Sequence, residues 1–523
     1  MEKKLPVAWV ECEFKELTSF VIGGDWGKDP DGEYENETEL VACIRGSEIK
    51  NWDKEKGSTS TIRKIKPTSL KKRALKTGDI LIEISGGGPD QPVGRTIYID
   101  EEAIAVNSDY EKVCTNFLRL IRFYEPLNSR FIEKYLTSFY LSGEVVKYQG
   151  GSNNLRNLKY KEFETITIPL PPLPEQQRIV AKLDSLFAHL EEVKSRLDKV
   201  PELLKQFRQS VLTQAVTGKL TEEWRKGKEF ESFKAYNQRI NQIRQSYYDD
   251  SLVNWKSDIA AWKENGEIGK RPVRPVKLKE LPEVEKWEYD DYGDLPIEWG
   301  WTRFNDVTYK IGDIDHKMPK DFEGGIPYLS TGNLKSSEDI DFENAKTISR
   351  EDYIALSRKI KPEKDDIIFP RYGTIGRNIY VSFDKEFLVS YSCAIVKNIK
   401  NEIDPKFVYY VSLSQLTKKE IQKYVVQTTQ ANIGISSIEK FLFPLAPIEE
   451  QAEIVRRIEG LFSKADAIES IYEQLKTQID NLPQALLAKA FKGALAEQLP
   501  SDGDARELLE EINKLKEETK KKK

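Results

Sequence analysis

Two stretches of the chain carry apolar residues in alternating steps of four and three. Such a narrow stripe is typical of a long helix that packs against a partner helix. Gly218 and Gly493 suit the ends of the two helices, and interior Pro201 and Pro483 predict bends. The stripe residues are Ile179, Leu183, Leu186, Leu190, Val193, Leu197, Val200, Leu204, Phe207 and Val211 in the first tail, and Ile454, Ile458, Leu461, Ala465, Ile468, Tyr472, Leu475, Ile479, Leu482 and Leu486 in the second.

The segment before each tail alternates short strand-like runs with glycine-rich turns. Each of these blocks is long enough, at about 150 residues, to bury a core of its own, and is predicted to be a mixed α/β domain. Between the halves, apolar steps of three and four from Phe233 to Tyr247 predict one more helix. An extended basic linker follows at 270–277.

The sequence is a tandem duplication. The run PLPPLPEQ at 169–176 returns 275 residues later as PLAPIEEQ at 444–451, and this offset continues without a gap to residue 220. Each half is therefore a variable block followed by a similar tail. Looser upstream matches are Asp79-Ile80 with Asp366-Ile367, Gly94-Arg95 with Gly376-Arg377, and Asn154 with Asn432.

Two unlike blocks joined by paired helices suggest a ligand with two separated half-sites. If the helices pair antiparallel, the blocks lie at opposite ends of a rod with approximate two-fold symmetry, and double-stranded DNA is the obvious ligand. Because the blocks differ in sequence, we expect their half-sites to differ. The alternatives are a coiled coil that only oligomerises and a non-DNA adaptor or scaffold that grips proteins.

Composition narrows the class of protein. The net charge of −5 disfavours a nucleic-acid binder unless the charges are segregated, and seven cations without a carboxylate at 62–78 form such a patch or a solvated loop surface. Two histidines and four isolated cysteines exclude most zinc sites and a disulfide scaffold. No apolar run approaches the ~18 residues of a membrane span, so we expect a cytoplasmic protein without a membrane partner.

The segment 169–225, with PLPPLPEQQRIV and later GKLTEEWR, resembles the specificity subunits of type I restriction–modification enzymes. In the second block, IPYLSTGNL at 326–334, PRYGTIGR at 370–377 and QTTQANI at 427–433 are similar to the same family. The resemblance implies an α+β fold with two mixed α/β target-recognition domains in tandem, separated by two long helices that form an antiparallel, pseudo-two-fold coiled coil. The predicted segments are target-recognition domains at 1–168 and 295–443, spacer helices at 169–220 and 444–496, a helical connector and linker at 221–294, and a C-terminal helix with a lysine tail at 497–523.

The resemblance also implies a function. Each target-recognition domain reads one half of an asymmetric bipartite site on double-stranded DNA, and the helices set the spacing and dock two adenine-methyltransferase (modification) subunits. Restriction (helicase–nuclease) subunits join them. The sequence has no Asn/Asp-Pro-Pro-Tyr loop and no Gly-x-x-x-x-Gly-Lys-Ser/Thr loop. We therefore expect no catalytic residue, metal or cofactor here, with S-adenosylmethionine, ATP and Mg²⁺ only on partner subunits.

Candidate DNA contacts are side chains that read base edges or hold phosphates. They come from the basic patch, from the Gly-Arg steps and from the polar segment before each tail, whose alternative role is that of an ordinary turn. The candidates are Arg63, Lys64, Lys66, Lys71, Lys72, Arg73, Lys76, Arg95, Ser152, Asn153, Asn154 and Arg156 in the first block, and Lys317, Lys320, Arg371, Tyr372, Thr374, Arg377, Gln427, Thr428, Gln430 and Asn432 in the second.

Apolar residues also fall outside the stripe in both tails. Phe187 and Phe462 occupy equivalent positions, and we predict that they dock the modification subunits. The alternative is that they pack against the chain's own blocks.

Overall fold

The computed structural model describes residues 5–34, 37–88, 91–152, 155–335, 340–426 and 431–521. The chain divides into two compact units, each described here by itself. Unit 1 comprises Met1–Asp198 with Tyr472–Lys523, and unit 2 comprises Lys199–Ile471. The end of the second tail therefore belongs to the unit of the first block. The predicted segments, which follow each other along the chain, did not include this grouping.

The block of unit 1 follows the predicted mixture of short strands and helices. Its strands are β1 (Val10–Glu13), β2 (Thr18–Gly23), β3 (Glu39–Ile44), β4 (Thr61–Ile65), β5 (Ile80–Glu83), β6 (Ser85–Gly87), β7 (Thr96–Tyr98), β8 (Glu111–Cys114), β9 (Leu118–Phe123), β10 (Gln149–Ser152), β11 (Leu155–Leu158) and β12 (Thr167–Leu170). Its helices are α1 (Phe14–Leu17), α2 (Trp52–Glu55), α3 (Pro67–Arg73), α4 (Glu101–Ala105), α5 (Ser129–Leu141), α6 (Tyr160–Phe163) and α7 (Leu173–Leu197), with 3-10 turns at Gly46–Asn51 and Glu144–Tyr148.

The strands of unit 1 form small sheets rather than one large sheet. Their orders are β1-β12, β2-β9-β5-β7, β4-β3-β8 and β10-β11-β6. Most neighbours are antiparallel, but β3 and β8 run parallel, with Ile44 opposite Cys114. The inward faces carry buried aliphatic and aromatic residues, such as Ile80, Ile121 and Phe131, and burying them supplies the main stabilising free energy.

Helix α7 and the end of the second tail pack together within unit 1. Ile179 and Leu183 share a buried cluster with Leu487 and Ala490, and further along α7 Lys194 pairs with Asp480. Positions that rise along one helix thus meet positions that fall along the other, so these segments are antiparallel. Helix α17 (Ala505–Lys521) completes the unit, with Leu508 and Ile512 buried in the same cluster.

Unit 2 carries the second block, the connector and the remaining helices. Its strands are β13 (Gly300–Arg303), β14 (Thr308–Gly312), β15 (Ile326–Leu329), β16 (Lys346–Ile348), β17 (Ile367–Pro370), β18 (Ile379–Tyr380), β19 (Leu388–Val389), β20 (Cys393–Asn398) and β21 (Leu442–Leu445). Its helices are α8 (Val200–Val216), α9 (Glu222–Arg225), α10 (Phe233–Glu264), α11 (Lys286–Tyr289), α12 (Arg350–Ser357), α13 (Pro405–Leu413), α14 (Gln415–Tyr424), α15 (Ile435–Ile438) and residues 448–471 of α16 (Ile448–Ala490). The 3-10 turns are Lys219–Thr221, Asp290–Tyr292, Phe304–Val307 and Thr331–Asn333 here and Pro500–Asp502 in unit 1.

The sheets of unit 2 repeat those of unit 1. The orders β13-β21, β14-β20-β17-β18 and β16-β15-β19 correspond to β1-β12, β2-β9-β5-β7 and β4-β3-β8. The parallel pair recurs as β15 and β19, with Leu329 opposite Val389. Arg208 of α8 pairs with Asp466 of α16, and Arg457 of α16 donates to the carbonyl of Leu220, so this helix pair is also antiparallel. The predicted duplication is thus present in the fold itself.

The ends of the tails are fixed by glycine, as predicted. Gly218 and Gly493 follow α8 and α16 with φ of +71° and +67°, values that only glycine adopts without strain. A Cβ atom at Gly218 would overlap Pro296, and one at Gly493 would overlap Pro6. Each tail therefore ends against the first residues of the block in its own unit.

The predicted bends differ between the two tails. The first tail breaks at Asp198–Lys199, so that α8 begins one residue before Pro201, where a proline is tolerated. Pro483, in contrast, lies inside the continuous helix α16. No helix in the described ranges is both long and apolar enough to cross a membrane.

The stripe is buried along one series of residues and exposed along the other in the middle of the tails. Leu204 and Ala465 each belong to a set of stripe residues spaced by seven, and both are buried. The stripe residues of the other set, which lie between these positions, are half-buried or exposed in the middle of the tails. The helices meet along a single line of residues spaced by seven, which leaves the second series at the margin. Of the stripe residues nearest the start of each tail, Ile179, Leu183, Leu190, Ile454 and Ile458 are buried, and Leu186 and Leu461 are half-buried. The exposed stripe residues are Val193, Phe207, Ile468, Leu475 and Leu482.

Candidate nucleic-acid interface

The repeated Glu-Gln of each tail anchors the helix to its block. The Trp9 indole N–H donates to Glu175 (2.9 Å), and the Gln176 amide oxygen accepts from the backbone N–H of Asn128 (3.1 Å), the residue that caps α5. In unit 2, Trp299 donates to Glu450 (2.8 Å) and Gln451 accepts from Asp404, the cap of α13 (2.9 Å). These buried residues fix each tail on its block, and both copies have them. We call the shared sheets, helices and these bonds the frame.

Four loops of unit 1 converge at the end of the parallel strand pair. Because β3 and β8 are parallel, the turns that follow them lie at the same edge of the sheet. Strand β5 ends beside the start of β9, with Glu83 opposite Leu118, and the Ile84 N–H donates to the Phe117 carbonyl (2.8 Å). The Leu158 N–H then donates to the Ile84 carbonyl (2.9 Å), which adds the segment before the tail to the same edge.

These loops line an open groove of about 760 Å³ in unit 1. Two of its walls are aromatic, since Phe117 is 50% exposed and Trp26 is 36% exposed. The Phe117 ring lies in the turn between β8 and β9, where it is accessible from the groove. The groove is lined by Trp26, Arg45, Gly46, Ser47, Lys50, Glu83, Ser85, Gly86, Gln91, Arg95, Thr115, Asn116 and Phe117.

Buried carboxylates hold the arginines of this groove. Arg95 donates to both oxygens of Glu83 (2.9 and 2.6 Å), and Arg45 donates through Nε to Glu48 (2.8 Å). Both carboxylates are buried, so each guanidinium is oriented while part of it stays accessible. The Thr115 hydroxyl is buried at the groove and has no hydrogen-bond partner among the described residues. The groove therefore offers aromatic faces beside oriented hydrogen-bond donors.

Unit 2 builds the same edge from different side chains. The Arg371 N–H donates to the Ser392 carbonyl (2.8 Å) and the Ile433 N–H to the Arg371 carbonyl (3.0 Å), as Ile84 and Leu158 do in unit 1. The turn of Phe117 is here Ser390–Ser392, and its Tyr391 ring stacks on His316 with ring centres 4.5 Å apart. One frame thus presents two different sets of side chains.

The hydrogen bonds also correct the alignment of the two halves. Because Leu158 and Ile433 make equivalent bonds, Asn432 corresponds to Asn157, at the constant offset of 275, and not to Asn154 as predicted. Asn432 bridges to Tyr372 in a short antiparallel pairing, and Gly87 lies opposite Arg156 in β11. The glycine-rich loop therefore pairs with the segment before the tail in both units, a contact that the sequence did not predict.

Arg371 does not lie where a base-reading residue is expected. Its side chain is buried and donates to Asp313 (2.7 Å) and to the carbonyls of Ile433 (3.2 Å) and Tyr391 (2.8 Å). A guanidinium with these partners ties the converging loops together, and we correct its predicted role from base contact to loop positioning. Arg377, in contrast, is exposed.

The basic patch lies on β4 and α3, and none of its residues, all within the described ranges, lines the groove. Arg63 packs over the Trp26 ring at 4.4 Å, Lys64 donates to the Gly32 carbonyl (3.1 Å), and Arg73 donates to the Gly23 carbonyl (2.8 Å). These three side chains hold the segment 23–32, which includes Trp26 of the groove. The exposed candidates are Lys66, Lys71, Lys72, Lys76, Lys317, Lys320 and Arg377.

Several predicted contacts lie outside the described residues. These are Asn153, Asn154, Gln427, Thr428 and Gln430, and only the backbone of Ser152, in β10, is described. Tyr372 and Thr374 are half-buried in the loop after β17. For all of these residues DNA contact stays a prediction.

The sequence reasoning missed most of the residues that line the groove. Among them are Arg45, Ser47 and Lys50 after β3, Asn116 and Phe117 after β8, Trp26 after β2 and Gln91 after β6. The sequence carried part of this signal. A buried run precedes Arg45-Gly46-Ser47 in the first block, and an equivalent run precedes Ser330-Thr331-Gly332 in the second. Both runs end in a 3-10 turn, Gly46–Asn51 and Thr331–Asn333.

Phe187 and Phe462 are half-buried against their own units. The Phe462 ring packs edge-on against Tyr410 (5.9 Å), and the Lys134 ammonium lies 5.5 Å from the Phe187 ring. These contacts match the alternative given for both residues. The strongly exposed apolar residues of the tails are Val193, Leu475 and Leu482 in unit 1, and Leu203, Phe207, Ile468 and Ile471 in unit 2.

The polar clusters do not form a metal site in the part of the chain that the structure describes, where no three His, Cys, Asp or Glu side chains converge. All four cysteines are buried, and burial raises the pKa of Cys12, Cys43 and Cys393 to about 12. Their thiols are therefore protonated core residues at neutral pH.

Two copies of one α/β frame, each with its own loops at the strand ends, define a tandem recognition protein. The chain belongs to the family described as type I restriction modification DNA specificity domain, whose model matches residues 9–201 and 296–477. It is 26% identical over 539 residues to the type I restriction enzyme EcoKI specificity subunit of Escherichia coli strain K12, covering 97% of this chain and 96% of that protein. It is 27% identical over 437 residues to the EcoBI specificity subunit of Escherichia coli, covering 81% of this chain and 78% of that protein.

A solved structure has the same fold. The HsdS subunit from Thermoanaerobacter tengcongensis matches with a TM-score of 0.52 and 16% identity, over 94% of this chain and 99% of that one. The predicted α+β class, with two mixed α/β domains in tandem and two long tails whose helices pack antiparallel, is confirmed.

Proposed function

We propose that this chain is the DNA-reading subunit of a type I restriction–modification complex and that each unit reads one half of a bipartite site. The observation that carries the proposal is the repeated frame, in which equivalent hydrogen bonds gather equivalent loops at one edge of each unit. The named relatives are specificity subunits of type I restriction enzymes, which supports the same role. The alternative of a non-DNA adaptor has no such support.

The two half-sites are proposed to be different. Unit 1 presents Phe117, Arg45 and Arg95 at its edge, whereas unit 2 presents Tyr391 with His316. Arginine forks recognise guanine and apolar rings contact the thymine methyl group, so different side chains read different bases. The site is therefore asymmetric, and the helical segments are proposed to set the spacer between its halves.

The chemistry is proposed to lie on partner subunits. Two modification subunits would supply S-adenosylmethionine-dependent adenine methylation, and restriction subunits would supply the ATP- and Mg²⁺-dependent steps. The exposed apolar residues of the tails support docking, because a helical surface of this kind is stabilised when a partner helix covers it. Each unit carries its own set, which fits one modification subunit per unit.

Methylome sequencing tests the reading function. We expect an asymmetric two-part adenine-methylation motif in the host that disappears when the gene of this chain is deleted and returns with a plasmid copy. A motif that persists after deletion would contradict the proposal.

Co-purification tests docking separately. In unit 2, Leu203→Asp combined with Phe207→Asp should reduce the number of modification subunits bound per chain from two to one. In unit 1, Leu475→Asp combined with Leu482→Asp should have the same effect. Gln474→Asp, an exposed polar residue of α16, is the matched control. Two bound subunits in both variants would place docking elsewhere.

A further inference from the structure

The connector of unit 2 extends well beyond the block it is attached to. Helix α10 packs through its first half, where Tyr236, Ile240 and Arg244 are buried and Tyr247 stacks on Tyr309 (4.2 Å). None of the residues from 245 to 264 is buried. About five more helical turns therefore extend along α10 without contributing to the core of the block.

The chain then turns back along this free half of α10. The Trp262 indole N–H donates to the Gly269 carbonyl (3.3 Å), and the Trp255 indole N–H donates to the Pro272 carbonyl (3.2 Å). The Arg274 guanidinium lies 5.6 Å from the Trp255 ring. The return segment ends at the block, where the Lys279 carbonyl accepts from Asn305 (3.3 Å). An extended strand is thus held on the helix by two tryptophans.

The sequence of this strand repeats every three residues. Residues 271–277 read Arg-Pro-Val-Arg-Pro-Val-Lys, and no carboxylate occurs from 268 to 279. Prolines favour an extended backbone with three residues per turn and a rise of about 3.1 Å, which places every third side chain on one face at steps of about 9 Å. The exposure follows this register, since Pro272 and Pro275 are half-buried while Arg271, Arg274 and Lys277 are exposed.

The cations of the strand are free to act on a partner. We define the basic ridge as Lys270, Arg271, Arg274 and Lys277; within the described ranges no ion pair involves any of them. The two tryptophan hydrogen bonds fix the backbone of the segment before any partner binds, so little conformational entropy is lost when the ridge binds. The chain is acidic overall, and a row of cations outside any ion pair on a fixed backbone attracts an anionic partner.

We propose that the basic ridge is a sequence-independent clamp for the phosphates of duplex DNA. A row of exposed cations at regular steps matches a phosphate backbone, whose negative charges repeat along a line. This role goes beyond the proposed reading of bases, because the ridge contacts DNA regardless of its sequence. It holds the duplex while the loops of the two units read the half-sites.

The test is the salt dependence of DNA binding by the full chain in complex with its co-expressed partners. The ridge variant combines Lys270→Gln, Arg271→Gln, Arg274→Gln and Lys277→Gln. We expect it to reduce the magnitude of the negative slope of log K against log salt by about 2–4, at about 0.9 per phosphate contact. Affinity at low salt should fall 10- to 100-fold for cognate and random duplexes alike, and the methylated motif should not change. The double variant Arg271→Lys and Arg274→Lys should keep the slope, since it keeps the charge.

The matched control replaces four lysines of α17, Lys514, Lys516, Lys520 and Lys521, by Gln and should leave the slope within about 0.5 of the parent. A ridge variant with an unchanged slope would overturn the proposal. If that variant instead loses a partner subunit, the ridge is a protein contact, which also overturns it. Failure of base reading would show differently, as a parent complex that binds cognate and random DNA equally.

Discussion

Units 1 and 2 share a frame and differ where the frame ends. The tryptophan–glutamate bond, the glutamine on the helix cap and the glycine at the end of the tail occur in both, at equivalent places. The loops at the strand ends keep their backbone bonds but exchange their side chains, as Ile84 and Arg371 show. The comparison teaches that side chains can vary wherever the loop is held by its backbone.

The difference at Ile84 and Arg371 has an energetic consequence. In unit 1 the position is apolar, whereas in unit 2 it carries a buried guanidinium matched by the buried Asp313. A buried ion pair adds little net stability, but removing one partner leaves the other charge unpaired in a low-dielectric site. Unit 2 therefore depends on one pair for which unit 1 has no counterpart.

The largest expected effect comes from breaking that pair. Arg371→Ala should lower the free energy of unfolding of unit 2 by about 2–3 kcal/mol, because the buried Asp313 loses its buried partner and keeps only the more exposed Lys359 (3.2 Å) and His316 (3.3 Å). Denaturant titration monitored by hydrogen exchange in both units measures it. Arg377→Ala is the control and should change stability by no more than about 0.5 kcal/mol, since its side chain is exposed. A loss below about 1 kcal/mol for Arg371→Ala would contradict the assignment as a positioning residue.

The second prediction compares the buried aspartates at the start of β5 and β17. Asp79 accepts two bonds from Arg122 (2.7 and 3.0 Å), whereas Asp366 accepts one bond from Lys397 (2.6 Å). Burial raises the pKa of Asp366 to about 6, and Lys397 offsets that effect only in part. The folded unit therefore binds a proton more tightly than the unfolded chain, in which an ordinary Asp titrates near 3.8.

The sign of the pH dependence follows from that order. Between pH 4 and 6 the folded state holds more protons, so the Asp366 contribution to the free energy of unfolding falls as pH rises, by about 2–3 kcal/mol over the window. Asp366→Asn should flatten this part of the stability curve, and Asp384→Asn, at an exposed position, should leave it unchanged. Thermal unfolding at half-unit pH steps measures it. An unaltered slope in Asp366→Asn would contradict the raised pKa.

The third prediction concerns the side chains that the units do not share. Phe117→Ala removes an exposed ring from the groove of unit 1 and should weaken binding of the cognate duplex about 10-fold, relaxing only one half of the motif. Ser392→Ala, in the equivalent turn of unit 2, should leave that half of the motif intact. Competition binding with duplexes altered at each base pair measures both. Relaxation spread over both halves would argue against one reading edge per unit.

The frame was predictable from the sequence because it depends on local patterns. The heptad steps, the prolines and glycines at the tail ends and the offset of 275 all report burial or backbone conformation at their own positions. The loops at the strand ends were not predictable, because the residues that contact each other there are distant in sequence. The Phe117 carbonyl accepts from the Ile84 N–H, and Arg371 donates to Asp313, which is 58 residues away. A lone Arg in a glycine-rich loop looks the same whether it is exposed or buried.

The smallest expected effect tests the feature that looks most alike in the two units. Glu450 accepts not only from Trp299 but also from Thr221 (2.6 Å) and Arg225, whereas one oxygen of Glu175 has no partner among the described residues. Both Trp→Phe substitutions remove the same apolar area and one hydrogen bond. Trp9→Phe leaves its carboxylate with fewer partners, so it should destabilise unit 1 by about 1 kcal/mol more than Trp299→Phe destabilises unit 2.

Glu175→Gln separates the charge from the packing. Because the desolvated carboxylate is the unfavourable group, Trp9→Phe combined with Glu175→Gln should recover most of the extra loss of stability in unit 1. Trp299→Phe combined with Glu450→Gln should destabilise unit 2 further, since Arg225 is then left without its carboxylate. The measurement is the free energy of unfolding of each unit by denaturant-dependent hydrogen exchange. Equal losses for the two single variants, with no recovery in unit 1, would mean that the anchors are equivalent in energy as well as in geometry, and that the additional partners of Glu450 contribute nothing.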